Sequence, residues 1–297
     1  MTRFGAAWLG SALCFSGIGA ADVSLPQADG TTLTLQSPAA RVITLAPNLT
    51  ELMFAAGAGE RLVATVEFSD FPEPAARLPR IGDAFRFDLE RILSLDPDLV
   101  IAWQSGNPPA ALLRLESLGL RVWRTEIRRP GDIAALLESM ARATGLTGGV
   151  PAADAVRKKL ARLAASNAGK PAVSYFYQVS PRPLFTLNGE HLVSRGLELC
   201  GAVNVFADEP VLAPQVTREA VLVADPDVLI APVTPDGADP LAAWRSWPRL
   251  TAVVNDAFIL LPADEISRAT PRMLDSLETA CGLLDETRAA NDGNTSQ

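Results

Sequence analysis

Two stretches of the chain, LERILSLDPDLVIA (89–102) and REAVLVADPDVLIA (218–231), repeat one plan. In each, an amphipathic helix runs into Asp-Pro-Asp and then into an apolar strand. Pro97 and Pro226 forbid continuation of the helix and deliver the chain in extended form. One such turn says little; two in the same context mark an internal repeat. Helix and strand alternate on both sides of each copy. That pattern predicts an α/β protein with two parallel sheets, each covered on both faces and wound with right-handed crossovers.

The first copy reads as strands at 42–45, 62–66, 99–103 and 121–123, with helices at 48–57, 88–95, 108–119 and 132–145. The second reads as strands at 173–178, 204–206, 228–233 and 258–261, with helices at 191–201, 217–224, 240–250 and 270–284. A β-hairpin around Asp29-Gly30 precedes them. Between the copies, PAADAVRKKLARLAASNA (151–168) reads as one amphipathic helix. Val156, Leu160 and Leu163 recur on one face, and Arg157, Lys158, Lys159 and Arg162 occupy the others. The domain reading is therefore an N-terminal lobe at 22–145, a linking segment at 146–169 containing this rigid helix, and a C-terminal lobe at 170–287. The tail, 288–297, is polar and reads as disordered.

Residues 1–21 read as a signal peptide: Arg3, an apolar run from Ala6 to Ile18 too short to span a bilayer, and small residues at 19–21. The mature chain therefore reads as exported. The rival, a lipoprotein signal acylated at Cys14, lacks the residue order such a motif requires. Without the leader two cysteines remain, Cys200 and Cys281, which in an exported protein read as a disulfide; two separate buried thiols are the alternative. The net charge of −8 argues against a nucleic-acid partner.

In such sheets ligands bind beyond the carboxyl ends of the strands. With one histidine, His191, a His-rich metal site cannot form; no Ser-His-Asp triad is expected, and Gly57-Ala58-Gly59 is no dinucleotide fingerprint. No catalytic residue, resident metal or cofactor is expected, and the chain reads as a binding protein, not an enzyme. Asn48 and Glu51 read as a capping box. Aromatic residues collect at the strand ends, among them Phe68, Phe85, Trp103 and Phe185. Trp103, at the exit of a buried strand, is the one placed to face the meeting of the lobes. Asp264 and Arg268 read either as a local ion pair or as polar contacts of an apolar pocket. Trp244 and Trp247 read as packing residues.

RVITLAPNLTELMFAAG, FSDFP, LERILSLDPDLVIAW, GLELCGAVNVF, PQVTRE and RATPR, in that order, resemble the periplasmic cobalamin-binding proteins of bacterial ABC importers, over residues 41–285. The broader family, class III periplasmic binding proteins, includes siderophore and haem binders, and the resemblance implies two α/β lobes joined by one long helix. It implies a corrinoid carried as cargo in the interlobe cleft by a monomer, with a ferric siderophore or haem as the alternative. Phe68, Trp103 and Phe185 match aromatic positions of that pocket, and Asp264 and Arg268 match polar contacts. Two pocket tryptophans of the family fall on Ala84 and Ala213 here; Phe85 adjoins the first. Cys200 and Cys281 match a cysteine pair. Glu90 and Glu219, at equivalent positions in the two repeats, match glutamates that dock on the two subunits of a permease dimer in the inner membrane.

Overall fold

A computed structural model describes residues 22–235 and 237–294, with the backbone alone described for 291–294. The signal-peptide reading of 1–21 lies outside the described residues. The chain opens with a hairpin, β1 (Val23–Pro26) and β2 (Thr32–Leu35). It continues through β3 (Val42–Thr44), α1 (Pro47–Ala55), β4 (Leu62–Ala64), α2 (Glu73–Ala76) and α3 (Leu89–Ser94). Next come β5 (Leu99–Trp103), α4 (Pro109–Ser117), β6 (Val122–Thr125), α5 (Asp132–Thr144) and α6 (Gly149–Asn167). The second half runs β7 (Val173–Tyr177), a short pair β8 (Ser180–Pro181) and β9 (Leu184–Phe185), α7 (Leu192–Glu198), β10 (Ala202–Asn204) and α8 (Arg218–Ala224). It ends with β11 (Val228–Val233), α9 (Thr251–Val254), β12 (Phe258–Pro262), α10 (Ala263–Ile266) and α11 (Pro271–Asn294).

The two main sheets share one topology. Their orders are β4-β3-β5-β6 and β10-β7-β11-β12, parallel throughout. In both, the first strand lies between the second and third, so the winding reverses at β3/β5 and at β7/β11. That reversal opens a crevice at the carboxyl ends.

The repeated Asp-Pro-Asp does more than stop a helix. Asp96 and Asp225 both take φ 43°, in the left-handed region that asparagine and aspartate tolerate. The second acid of each copy then clips the start of the first strand of its own sheet. Asp98 Oδ2 accepts from the backbone N–H of Ala40 and Arg41, both at 2.8 Å. Asp227 Oδ2 accepts from Ser174 N–H at 2.8 Å and from its hydroxyl at 2.6 Å. One turn therefore sets strand register in both lobes.

The linking helix is not a bare strut. Val156 packs in the core of the first lobe and Leu163 in that of the second. Its cations meet the acids of α11: Lys159 with Asp275 and, at 2.8 Å, Glu278, and Arg162 with Glu278 at 3.2 Å. α11 spans the lobes too, with Leu274 in the first core and Met273, Leu277 and Cys281 in the second. Cys200 and Cys281 form a disulfide, tying the end of α7 to α11.

Several expectations are corrected. α11 runs on through 288–294, so the tail is helical there. Arg288 is buried and donates to the carbonyls of Pro171 at 2.8 Å and Cys200 at 2.6 Å. The expected helix at 240–250 is a 3-10 turn at Ala242–Ser246, followed by α9 after Pro248. Trp244 is buried, donating to Gln178 Oε1 at 2.8 Å, whereas Trp247 is 38% exposed. The strand expected at 204–206 lies two residues earlier, where Ala202–Asn204 pairs with β7. The Asn48–Glu51 capping box does not form: the N-cap of α1 is Ala46, with Pro47 opening the helix.

Glu51 instead crosses between the lobes. It is 3% exposed and takes both its partners from Arg272, Nε and Nη2 each donating at 2.9 Å. The guanidinium lies 3.9 Å from the centre of the Phe71 ring. Removing one member of a buried pair strands the other charge, at a cost of ~3–5 kcal/mol. Arg272 retains 20% of its side-chain surface in water, so Glu51→Ala should lose about 2–4 kcal/mol in urea unfolding. The double change Glu51→Leu/Arg272→Leu, which leaves no orphan charge, should lose less.

Candidate functional site

A cleft of about 250 Å³ opens between the lobes at the carboxyl ends of the strands. The first lobe supplies the start of α1, Trp103, Ser105 and the segment Thr125–Arg128; the second supplies Glu190–Val193, Leu212 and Ile266–Ala269. Of the residues anticipated as ligand contacts, Trp103 and Arg268 line it directly.

Trp103, 38% exposed, is held by several groups around it. Its indole N–H donates to Glu126 Oε1 at 3.4 Å, and the same carboxylate accepts the Ser105 backbone and hydroxyl, both at 3.0 Å. Gly106 lies under the ring: a Cβ there would meet an indole carbon at 1.9 Å, so a side chain in this turn would displace the indole from its present place. Asn107 is buried and joins three cleft loops. Its Oδ1 accepts Trp103 N–H at 2.8 Å, and its Nδ2 donates to Leu45 O and Ala84 O, both at 2.9 Å. Neither Asn107 nor Glu126 stands out in the sequence; the signal that existed was their closeness to the ends of β5 and β6.

Phe68 sits at the lip of the cleft, 74% exposed, with φ 64°. For an aromatic residue this conformation stores strain and persists only when its surroundings enforce it. They do so from beneath, through a buried hydroxyl network. Thr50 joins Thr44 at 2.7 Å and Thr65 at 2.6 Å, and Thr65 joins Ser69 at 2.9 Å. From across the cleft, Arg268 Nη2 donates to Phe68 O at 3.2 Å.

Arg268 lines the cleft, and Asp264 lies one helical turn before it, outside the cleft lining. It pairs with Asp264 at 3.2 Å within its own lobe and with Asp70 of the other lobe at 2.8 Å. Burial pushes the Asp70 carboxyl up, but the hydrogen bond and charge of Arg268 outweigh it and leave it below its ordinary value. Phe85, 69% exposed, and the half-buried Phe185 do not line the cleft. Phe185 is tied into the second lobe by pairing with Ser180 and bridging to Gln215.

Glu90 and Glu219 occupy matching places in the first turns of α3 and α8. Asp88 caps the one, accepting Arg91 N–H at 2.9 Å, and Thr217 the other, accepting Ala220 N–H at 3.1 Å. Both glutamates are exposed, and neither forms an ion pair among the described residues. These helices lead back to β5 and β11, so their first turns stand at the carboxyl ends of the sheets, one per lobe. His191 also faces the cleft, its Nδ1 accepting Val193 N–H at 3.2 Å. Burial pushes its imidazole pKa below the usual histidine value.

Replacing Asn107 by Ala leaves three backbone groups to find new partners in a largely buried place. Urea unfolding should show a loss of about 2–3 kcal/mol, and hydrogen exchange should accelerate at the Trp103 amide.

The model of the family described as periplasmic binding protein matches residues 42–265. The chain is 40% identical over 249 residues to a vitamin B12-binding protein of Vibrio cholerae, covering 83% of this chain and 90% of that one. The crystal structure of the periplasmic vitamin B12 binding protein of Vibrio cholerae superposes with a TM-score of 0.78 at 39% identity, covering 84% of this chain and 98% of that one. A periplasmic heme-binding protein from Roseiflexus sp. RS-1 shares the fold, with a TM-score of 0.70 at 24% identity over 84% of this chain and 98% of its own. With its two parallel-sheet lobes, bridging helices and interlobe cleft, the chain belongs to the periplasmic binding protein family.

Proposed function

We propose that this protein is the extracytoplasmic binding component of an ABC importer, that it captures cobalamin or a related corrinoid between its lobes, and that it hands this cargo to a permease dimer. In this reading it works as a monomer exported to the periplasm by a cleaved leader, and it performs no catalysis. The observation that carries the reading is the wide cleft with an exposed, propped indole at its wall, in a chain 40% identical to a vitamin B12-binding protein. A large, flat, mostly apolar ligand with polar groups at its edge suits such a cleft. Trp103 offers the apolar face. Phe68, exposed at the lip, would meet a ligand's edge, whereas Phe85 and Phe185 stand outside the cleft lining and would touch only a ligand that extends beyond it. Arg268 and Asp264 form the polar rim.

Calorimetry with cyanocobalamin tests the assignment. Wild-type protein should bind, and Trp103→Ala should weaken binding by roughly 1–3 kcal/mol, the scale of one large apolar side chain. Absence of heat with cyanocobalamin, together with saturable binding of haemin or a ferric siderophore, would transfer the assignment to those chelates.

Glu90 and Glu219 supply the docking half of the proposal. An acid in a first helical turn favours the positive end of the helix dipole, worth about 0.3–1 kcal/mol, and that accounts for each alone. It does not account for two unpaired carboxylates at the same place in both repeats, flanking one cleft. Two cationic sites on a two-fold permease would match them, fixing orientation and raising the association rate. In the Glu90→Ala/Glu219→Ala variant, ligand affinity should stay near wild type while association with the permease and uptake fall. Normal docking by that variant would return both residues to a purely local role.

A further inference from the structure

The chain has one histidine, and it lines the cleft from the second lobe. Its bonding fixes its chemistry. Val193 N–H donates to Nδ1 at 3.2 Å, so that nitrogen carries a lone pair and no proton. In a neutral imidazole the proton then resides on Nε2. Nε2 has no partner among the described residues.

A histidine that binds a metal is wired the other way. It gives the lone pair of one nitrogen to the metal and donates the N–H of the other to a carbonyl or carboxylate. Here the second nitrogen receives a proton donor instead. For Nε2 to ligate a metal, the proton would have to move to Nδ1, where it would confront the Val193 N–H and uncap α7.

The neighbouring polar groups sharpen the point. Arg268 is committed to Asp70, Asp264 and Phe68 O. Glu126 is committed to Trp103 and Ser105, and Glu190 to Arg195. The carboxylates that line the cleft are therefore engaged. Arg128, from the first lobe, lines the cleft with its guanidinium unpartnered among the described residues. Of the cleft's titratable side chains, those left for a ligand are donors, one from each lobe.

We propose that His191 is a specificity-determining donor: its Nε2–H bonds to an acceptor oxygen, amide carbonyl or phosphate, on the periphery of the bound chelate, and it does not ligate the chelated metal. This rests on the interlobe binding reading given above. It selects for ligands rich in peripheral acceptor oxygens over ligands that need an axial base.

Because the histidine is unique, nitrogen-15 NMR of the imidazole reports on it alone. The free protein should show the Nε2–H tautomer, and added cyanocobalamin should shift that resonance. His191→Ser keeps an oxygen to cap α7 and removes the Nε2 donor. It should hold its thermal midpoint close to wild type while binding cyanocobalamin roughly five-fold more weakly, the scale of one hydrogen bond. With aquocobalamin and with haemin, the visible spectra of wild-type and variant complexes should coincide. An Nδ1–H tautomer, equal affinity of the two proteins for cyanocobalamin, or an imidazole-coordinated spectrum seen in wild type alone would each overturn the proposal. Failure of wild type to bind cyanocobalamin overturns the functional reading and the ligand contact together, whereas equal binding by the two proteins overturns this inference alone.

Discussion

The two lobes hold their relation through a buried ion pair. A carboxylate as enclosed as that of Glu51 is tolerable only if both oxygens are met, and Arg272 meets both with one planar fork. A bidentate pair fixes direction as well as distance, so α1 of the first lobe and α11 of the second are set at one angle. The loop leading into α11 extends that constraint to the cleft. Arg268, four residues before Arg272, reaches Asp70 and Phe68 O in the opposite lobe. The seam behind the cleft and the rim in front of it are thus parts of one short segment. The ion pairs between α6 and α11 brace it further along.

Within that frame the cleft separates groups that are spent on structure from groups that are free. Trp103 is an exposed aromatic surface whose position is determined by its neighbours: Gly106 by its missing side chain, Asn107 by three hydrogen bonds, Glu126 by gathering the turn. Phe68 is held similarly, by hydroxyls below and an arginine across. A binding surface built this way loses little freedom when it is occupied, because its aromatic platform is ordered beforehand.

Much of the fold was legible because the same instruction is written twice. Asp-Pro-Asp, the apolar strands after it and the amphipathic linker each agree with their tertiary role, and agreement across levels makes a pattern readable. The reading failed where tertiary partners override local signals. Asn48 and Glu51 have the spacing of a cap, but Glu51 answers to an arginine 221 residues away. The segment 288–294 looks soluble and unstructured by composition, yet Arg288 finds three backbone carbonyls to hold. Pro240 and Pro248 break the apparent helix between them into a tight turn. In the site, Trp103 and Arg268 were visible as an aromatic and a cation at strand ends. Asn107 and Glu126 were not, since a single polar residue near a strand end has many ordinary uses. The two acids of the repeated turn were read as companions of a proline; only the structure reveals that one of them fastens a strand.

The path of α11 bears on how the protein comes into being. This helix contributes Leu274 to the core begun by the earliest strands and Met273, Leu277 and Cys281 to the other. Until it arrives, both cores have a vacant wall, and Glu51, near the beginning of the chain, has no counter-charge. Neither lobe is a module that can be completed without α11. Contacts that span so much of the sequence close slowly, since their loop entropy must be overcome before they reward the chain. A folding chain of this design therefore stays open, with apolar seats exposed, until α11 docks.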